Sequence, residues 1–358
     1  MTGKLCQYLL SFFVLACGAT SQQQKESVVH MEPVVITGNS ARPETEFYTA
    51  KEMFDRGRLA KAFDKYEDCV RFFSVVISDF MNTRYGEPAI YNRGLCRERL
   101  QDFDGASVDY AQFVEIATDP IDRLDGQFRL LASLVSGRRD TRALIIAEDL
   151  LTLDLPELDR AEVMVKKATI LKRLTLTDSA LSLLRAASRM AKTAGVIIRD
   201  NSVYAEAENV LGQIYLSKMS QIKLVLPLEK MKFRLAEKLD AFRKSQLHFL
   251  NSISTHVKGI STNSGELLGR LYAGLYGDLL NAEAPSKLNK LERDVYLEAL
   301  ISKITPVLRN AIKVYEKSIS LGHKLGERKA WFERLKLEKS RLESILKGAP
   351  STAGEPTK

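Results

Sequence analysis

The chain has 358 residues, of which 45% are hydrophobic and 27% charged, and a net charge of +8. This composition excludes a disordered polypeptide, and the length allows either a large core or a stacked array. The basic excess does not specify nucleic acid, because no recognised module interleaves aromatic residues with the charge.

Residues 1–16 have the form of an export signal: Lys4, an apolar run through Leu9, Leu10, Phe12, Phe13, Val14 and Leu15, then Ala16 before Cys17. The run is too short for a permanent membrane helix. Val14-Leu15-Ala16-Cys17-Gly18 resembles a bacterial lipobox. The resemblance implies acylation of Cys17, and Gly18 after it implies the outer membrane. The alternatives are cleavage by ordinary signal peptidase near Ala19 or an uncleaved anchor. Residues 17–45 are polar and interrupted by Pro33 and Pro43, as expected of a flexible, lipid-anchored linker; Val34-Val35-Ile36 is its one strand-like stretch. Residues 348–358, with Pro350 and Pro356, read as a disordered tail.

Between them, residues 46–347 show helical apolar spacing and no convincing alternating strand pattern. In the first unit, Ala50, Met53 and Phe54 lead to Gly57, read as the turn, with Leu59, Ala62, Tyr66 and Cys69 on the second helix. The second unit carries Tyr91 and Gly94, then Phe103, Ala106, Tyr110 and Phe113, and closes at Asp119-Pro120. A third has Leu130, Leu131, Ala143, Ala147 and Leu150; a fourth has Ala168, Leu171, Ala180, Leu184 and Ala187. The second-helix alanines Ala62, Ala106, Ala143 and Ala180 are spaced by 44, 37 and 37 residues. A fifth unit holds Leu211, Gly212 and Tyr215, with a partner helix after Pro227 carrying Leu235, Leu239, Phe242, Phe249 and Ile253. A sixth opens with Leu268, Gly269 and Tyr272, and Pro306 suggests a break before a degenerate seventh at Ala311, Tyr315 and Ser318. The last helix, through Trp331, Leu335, Leu342 and Ile345, is expected to cap the array.

The Leu-Gly pair with tyrosine four positions after the leucine, at Leu211-Gly212…Tyr215 and again at Leu268-Gly269…Tyr272, resembles the first helix of a tetratricopeptide repeat, TPR. The resemblance implies an all-α, TPR-like helical-hairpin solenoid of about six repeats with a C-terminal capping helix. It further implies a non-enzymatic scaffold that holds a protein or peptide in a concave groove. The Ala311 to Trp331 segment and the order of the units are similar to outer-membrane TPR lipoproteins of gliding-motility machinery. A pilotin-like or outer-membrane assembly adaptor is the alternative, as is a membrane-surface adaptor working through the basic stretch Lys223 to Lys258.

Mapped onto this sequence, the family's groove positions are Phe47, Lys51 and Phe54; Tyr91, Leu95 and Arg99; Lys172 and Arg173; and Asn209 and Gln213. Asn209 and Gln213 form an amide pair suited to a peptide backbone. Cys69 and Cys96 fall on neighbouring helices, where either a disulfide or two small buried thiols is consistent with the sequence. No Walker loop, nucleophile elbow or histidine–carboxylate cluster at metal-ligand spacing is present, so no cofactor or metal is expected. An enzymatic reading, as a peptidoglycan-active enzyme, would need a carboxylate pair in a cleft, for which Glu206 or Glu266 near the groove is the best available.

Overall fold

The computed structural model describes residues 34–39, 42–198, 201–284 and 288–348. The signal segment, Cys17, the linker up to residue 33 and the tail from 349 lie outside the described residues.

The first described element differs from the expected linker. β1 (Val34–Asn39) pairs antiparallel with β2 (Arg42–Thr49), Val34 opposite Thr49 and Ile36 opposite Phe47, with an irregularity between Thr37 and Asn39. Val34-Val35-Ile36-Thr37 is a β-branched run that fits a pleated strand, and Phe47-Tyr48-Thr49 matches it. The solenoid therefore begins at α1 (Ala50–Ala62), not at residue 46. Thr49 ends the strand and starts the helix, its Oγ1 accepting the Glu52 N–H at 3.2 Å.

Six hairpins follow: α1 with α2 (Tyr66–Asp79), α3 (Gly86–Arg99) with α4 (Phe103–Ile116), and α5 (Pro120–Ser136) with α6 (Asp140–Thr152). Then come α7 (Glu157–Arg173) with α8 (Thr177–Ile198), α9 (Ser202–Gln221) with α10 (Leu228–Ser254), and α11 (Ile260–Leu280) with α12 (Lys290–Leu325). α13 (Lys329–Gly348) packs on α12 and closes the array. The break expected at Pro306 does not occur, and there is no seventh hairpin among the described residues. α12 runs through Pro306, its register held by the burial of Ile304, Leu308, Ala311 and Tyr315 on one face.

The sequence reading of unit one needs a second correction. Gly57 lies inside α1 against the ring of Phe73, and Leu59 and Ala62 belong to the same helix. The alanine position of the second helix is held by Cys69. With that change Cys69, Ala106, Ala143 and Ala180 recur every 37 residues, as do Gly57, Gly94, Leu131 and Ala168 on the first helices. The turns keep the same period: Asp64, Gln101, Arg138 and Thr175 have φ of 58°, 62°, 56° and 64°. Each sits just past its first helix, whose carbonyls accept from this residue and the next, as when the Lys65 N–H bonds Ala60 O at 2.9 Å.

Packing within each hairpin is a small residue against a large one. A Cβ on Gly94 would lie 2.8 Å from the ring of Tyr110; Gly57 faces Phe73, Gly212 faces Phe249 and Gly269 faces Tyr315 in the same way. These rings are buried. Unit three inverts the pattern, with Leu131 on the first helix and Ala147 on the second in one packed cluster. Gly94→Leu is therefore expected to destabilise by about 1–3 kcal/mol through overpacking, and Tyr110→Ala by about 3–5 kcal/mol through a cavity. The double variant should lose clearly less than the sum, which chemical denaturation of the four proteins will measure.

Candidate protein-binding groove

Along the array α1 packs on α3, α5 on α7, α7 on α9 and α9 on α11, and side-chain ties join α3 to α5, so the first helices lie side by side on one face, which is the inner face of a TPR-like solenoid. In its amino-terminal part, α3 presents Tyr91, whose hydroxyl donates to the Asp125 carboxylate on α5. Burial, and then this hydrogen bond, raises the Tyr91 pKa above the usual phenol range. Its ring packs on Tyr110 and Phe113. Leu95 packs against the core and, with Arg99, Glu98 and Arg129, lines a hollow of about 680 Å³. Arg129 lies 3.5 Å from Glu98, joining α5 to α3.

The central part carries charge at repeated positions. Asp125 and Arg129 on α5 stand 37 residues before Glu162 and Lys166 on α7, and Glu206 takes the carboxylate position on α9. Lys166 Nζ reaches both Glu206 oxygens at 2.8 Å. Burial opposes the charge on Lys166, but Glu206 outweighs it and holds the ammonium above the ordinary lysine range. Burial raises the Glu162 pKa, against the pull of Lys166 and with the repulsion of Glu206 added. Asp125, Asp159 and Glu162 surround a hollow of about 400 Å³ whose apolar wall is Ile121, Leu124 and Phe128.

Further along, Lys172 Nζ donates to Gln213 Oε1 at 2.6 Å, and Gln213 Nε2 donates to Asn209 Oδ1 at 2.5 Å. Asn209 Nδ2 donates to Ser264 Oγ at 2.6 Å, and Ser264 to Ser252 Oγ at 2.8 Å. This chain of contacts ties units four, five and six together. Burial, then the neighbouring Arg173, lowers the Lys172 pKa. Lys172 and Gln213 also line a hollow of about 760 Å³.

The ten groove positions read from the sequence thus separate. Tyr91, Leu95, Arg99, Lys172 and Gln213 are on first helices, Tyr91 tied to Asp125, Leu95 and Arg99 beside one hollow and Lys172 and Gln213 beside another. Phe47 is on β2 instead of a first helix, because the strand continues to Thr49. Phe54 packs between Phe73 and Tyr85, so it belongs to the core. Lys51 is exposed and paired with Asp55 on its own helix at 3.0 Å. Arg173 is a strut between units, bonding the Asp140 carboxylate and, at 3.0 Å, Val135 O. Asn209 is buried with both ends of its amide engaged, so it does not present that amide to a peptide. The carboxylates considered for an enzymatic reading are both ion-paired, Glu206 with Lys166 and Glu266 with Arg270 and Arg334.

Asp125, Arg129, Glu162 and Lys166 escaped the sequence reading because units three and four lack the Leu-Gly-Tyr signature that sets the register. Their own 37-residue spacing is the signal that was available. Two buried clusters were missed as well. Asp109 is held by Arg93 at 2.7 Å and Arg97 at 2.8 Å, and burial nonetheless raises its pKa. Glu208 accepts from Ser188 and Asn251 and contacts His248 at 2.8 Å; burial opposes its charge, but these partners lower its pKa overall.

Cys69 on α2 and Cys96 on α3 are fully buried and meet in disulfide contact, with their Cα atoms 6.3 Å apart.

No family model matches the chain, and no curated protein matches it. Solved structures do. One is a TPR repeats protein from Bacteroides fragilis, at 11% identity and a TM-score of 0.28, covering 83% of this chain and 98% of that one. Another is the C-terminal part of a TPR repeat-containing protein from Cytophaga hutchinsonii, at 12% identity and a TM-score of 0.42, covering 84% and 100%. A third is a tetratricopeptide repeat protein from Parabacteroides merdae, at 10% identity and a TM-score of 0.38, covering 81% and 98%.

The fold is TPR-like. Its hairpins keep a small residue on one helix against a bulky one on the other, and the TPR-like inner face is where a carboxylate has been placed in three successive units.

The raised Glu162 pKa has a sign that can be checked. A carboxyl raised in the folded state weakens the fold above its folded pKa and has no effect below the ordinary glutamate value, about 4.3. Glu162→Gln should therefore stabilise at pH 7 and lose that gain as the pH falls to about 4, read from denaturation midpoints across the range. Opening the Cys69–Cys96 link, with its sequence separation of 27 residues, should cost about 3–4 kcal/mol; comparing the denaturation of Cys96→Ser with that of oxidised protein will show it.

Proposed function

We propose that this protein is a non-enzymatic scaffold of the bacterial envelope, anchored by a lipid on Cys17 to the periplasmic face of the outer membrane. It holds a segment of an envelope protein in its inner groove, within a complex of the gliding-motility type. The observation that carries the binding role is the central groove, where the carboxyl groups of Asp125, Asp159 and Glu162 outnumber the one cation, Arg129, around a hollow walled by Ile121, Leu124 and Phe128. Carboxylates beside apolar side chains suit a segment that carries a lysine or arginine next to an apolar residue. A protein-binding role is in keeping with the TPR-like fold.

The envelope part of the reading rests on the sequence around Cys17 and is supported by the Cys69–Cys96 contact, since such links persist in oxidising compartments. No helix among the described residues is long and apolar enough to cross a membrane. A pilotin-like or assembly adaptor would use the same groove with another partner.

The test combines a clickable fatty acid with a photo-crosslinking residue placed in cells at position 128 or, on the exposed surface of α6, at position 145. Label is expected on the wild type and not on Cys17→Ser. One envelope protein should be captured from position 128 and not from 145, and Asp125→Lys should abolish the capture. Absence of label would remove the membrane anchor; equal capture from both positions would remove the groove.

A further inference from the structure

A second cleft opens between the second helices of units four and five, and it adjoins the hollow at Lys172 and Gln213 through Lys218 and Gln221, which line both. It has a volume of about 810 Å³, within the range of small-molecule sites, and lies between α8 and α10 with α9 at its base. At the base is Tyr215, buried to 6% exposure. Arg185 Nη2 donates to the Tyr215 hydroxyl at 2.7 Å, and the amines of Lys218 and Lys244 stand 6.0 and 5.8 Å from its ring centroid. His248 stacks on the ring at 5.6 Å, so the phenol is fixed in place. Arg189 and Arg234 complete the basic lining.

Three carboxylates share the cleft and do not neutralise it. Asp240 is tied to Lys244 at 2.6 Å, and Asp178, fully exposed, is 3.9 Å from Lys218. Among the described residues no carboxylate lies within ion-pair distance of Arg185, Arg189 or Arg234. Glu237 alone is left to offset three guanidinium groups, each shaped for two-point contact with a phosphate.

We infer that the cleft between α8, α9 and α10 is a binding site for a small ligand bearing phosphate groups, held by Arg185, Arg189 and Arg234 over Tyr215. The ligand is either a soluble phosphorylated compound or the phosphate headgroup of a lipid. The site also gives a local reason for the basic character of α10. Of the cations in that stretch, Lys238 is buried and serves the fold, donating to Met219 O at 2.7 Å and Ile222 O at 2.8 Å at the end of α9. Arg234 and Lys244 point instead into the cleft.

Calorimetry of the full chain with pyrophosphate at low ionic strength is the test. Binding is expected, weakened at least tenfold in Arg189→Glu with Arg234→Glu. It should be unchanged in Lys230→Glu with Lys232→Glu, which alters the net charge equally on exposed α10 positions outside the cleft, and circular dichroism will confirm that both variants fold. Competition by phosphatidic acid vesicles would identify a headgroup as the source, and its absence a soluble compound; either supports the site. No binding by the wild type, equal loss in both variants, or equal affinity for hexaglutamate would overturn it.

Discussion

The array depends on how closely two helices of a hairpin can approach. In four hairpins a glycine on the first helix meets a whole ring from the second: Phe73 over Gly57, Tyr110 over Gly94, Phe249 over Gly212, Tyr315 over Gly269. Glycine costs roughly 1 kcal/mol in a helix interior, and burial of an aromatic side chain more than offsets it. The inversion at Leu131 and Ala147 shows that the constraint is on the summed volume, not on which helix supplies it. Once that spacing is set, the first helices are brought edge to edge, and the polar residues they carry face the same way.

What lies on that inner face is a series of ties between neighbouring units. Tyr91 to Asp125, Lys166 to Glu206, and the run from Lys172 through Gln213 and Asn209 to Ser264 each cross from one hairpin to the next. Partly buried groups of this kind fix the relative setting of two hairpins, because a shift would leave a charge or an amide without its partner. The setting of one hairpin on the next and the chemistry of that face are therefore supplied by the same side chains.

Much of this was legible in the sequence, where a helical pattern was strong and a signature set its phase. Leu211, Gly212 and Tyr215 placed α9 correctly, and Ala106 with Tyr110 placed α4. Unit one was misphased because a glycine followed by a basic residue reads as a turn, and because Cys69 occupies a position usually given to alanine. The hairpin of β1 and β2 was hidden by length: six to eight residues with two prolines nearby look like linker until a partner strand is seen. Groove residues were harder still. Whether Asn209 faces a ligand or Ser264 depends on the rotation between two helices, and no single-chain pattern encodes that angle. The cleft at Tyr215 draws cations from three helices spread over more than a quarter of the repeat region and has no local signature at all.

The link between Cys69 and Cys96 has a mechanical meaning. In an array where each hairpin touches only its neighbours, a pull on the amino-terminal end would strip the units in order, like a zipper opened from one side. α1 can be drawn away under such a load, but α2 is joined to α3 by a covalent bond. Once the chain has opened as far as Cys69, the load crosses that bond directly to Cys96, and the stretch between them, most of α2 and most of α3, bears no tension while the bond holds.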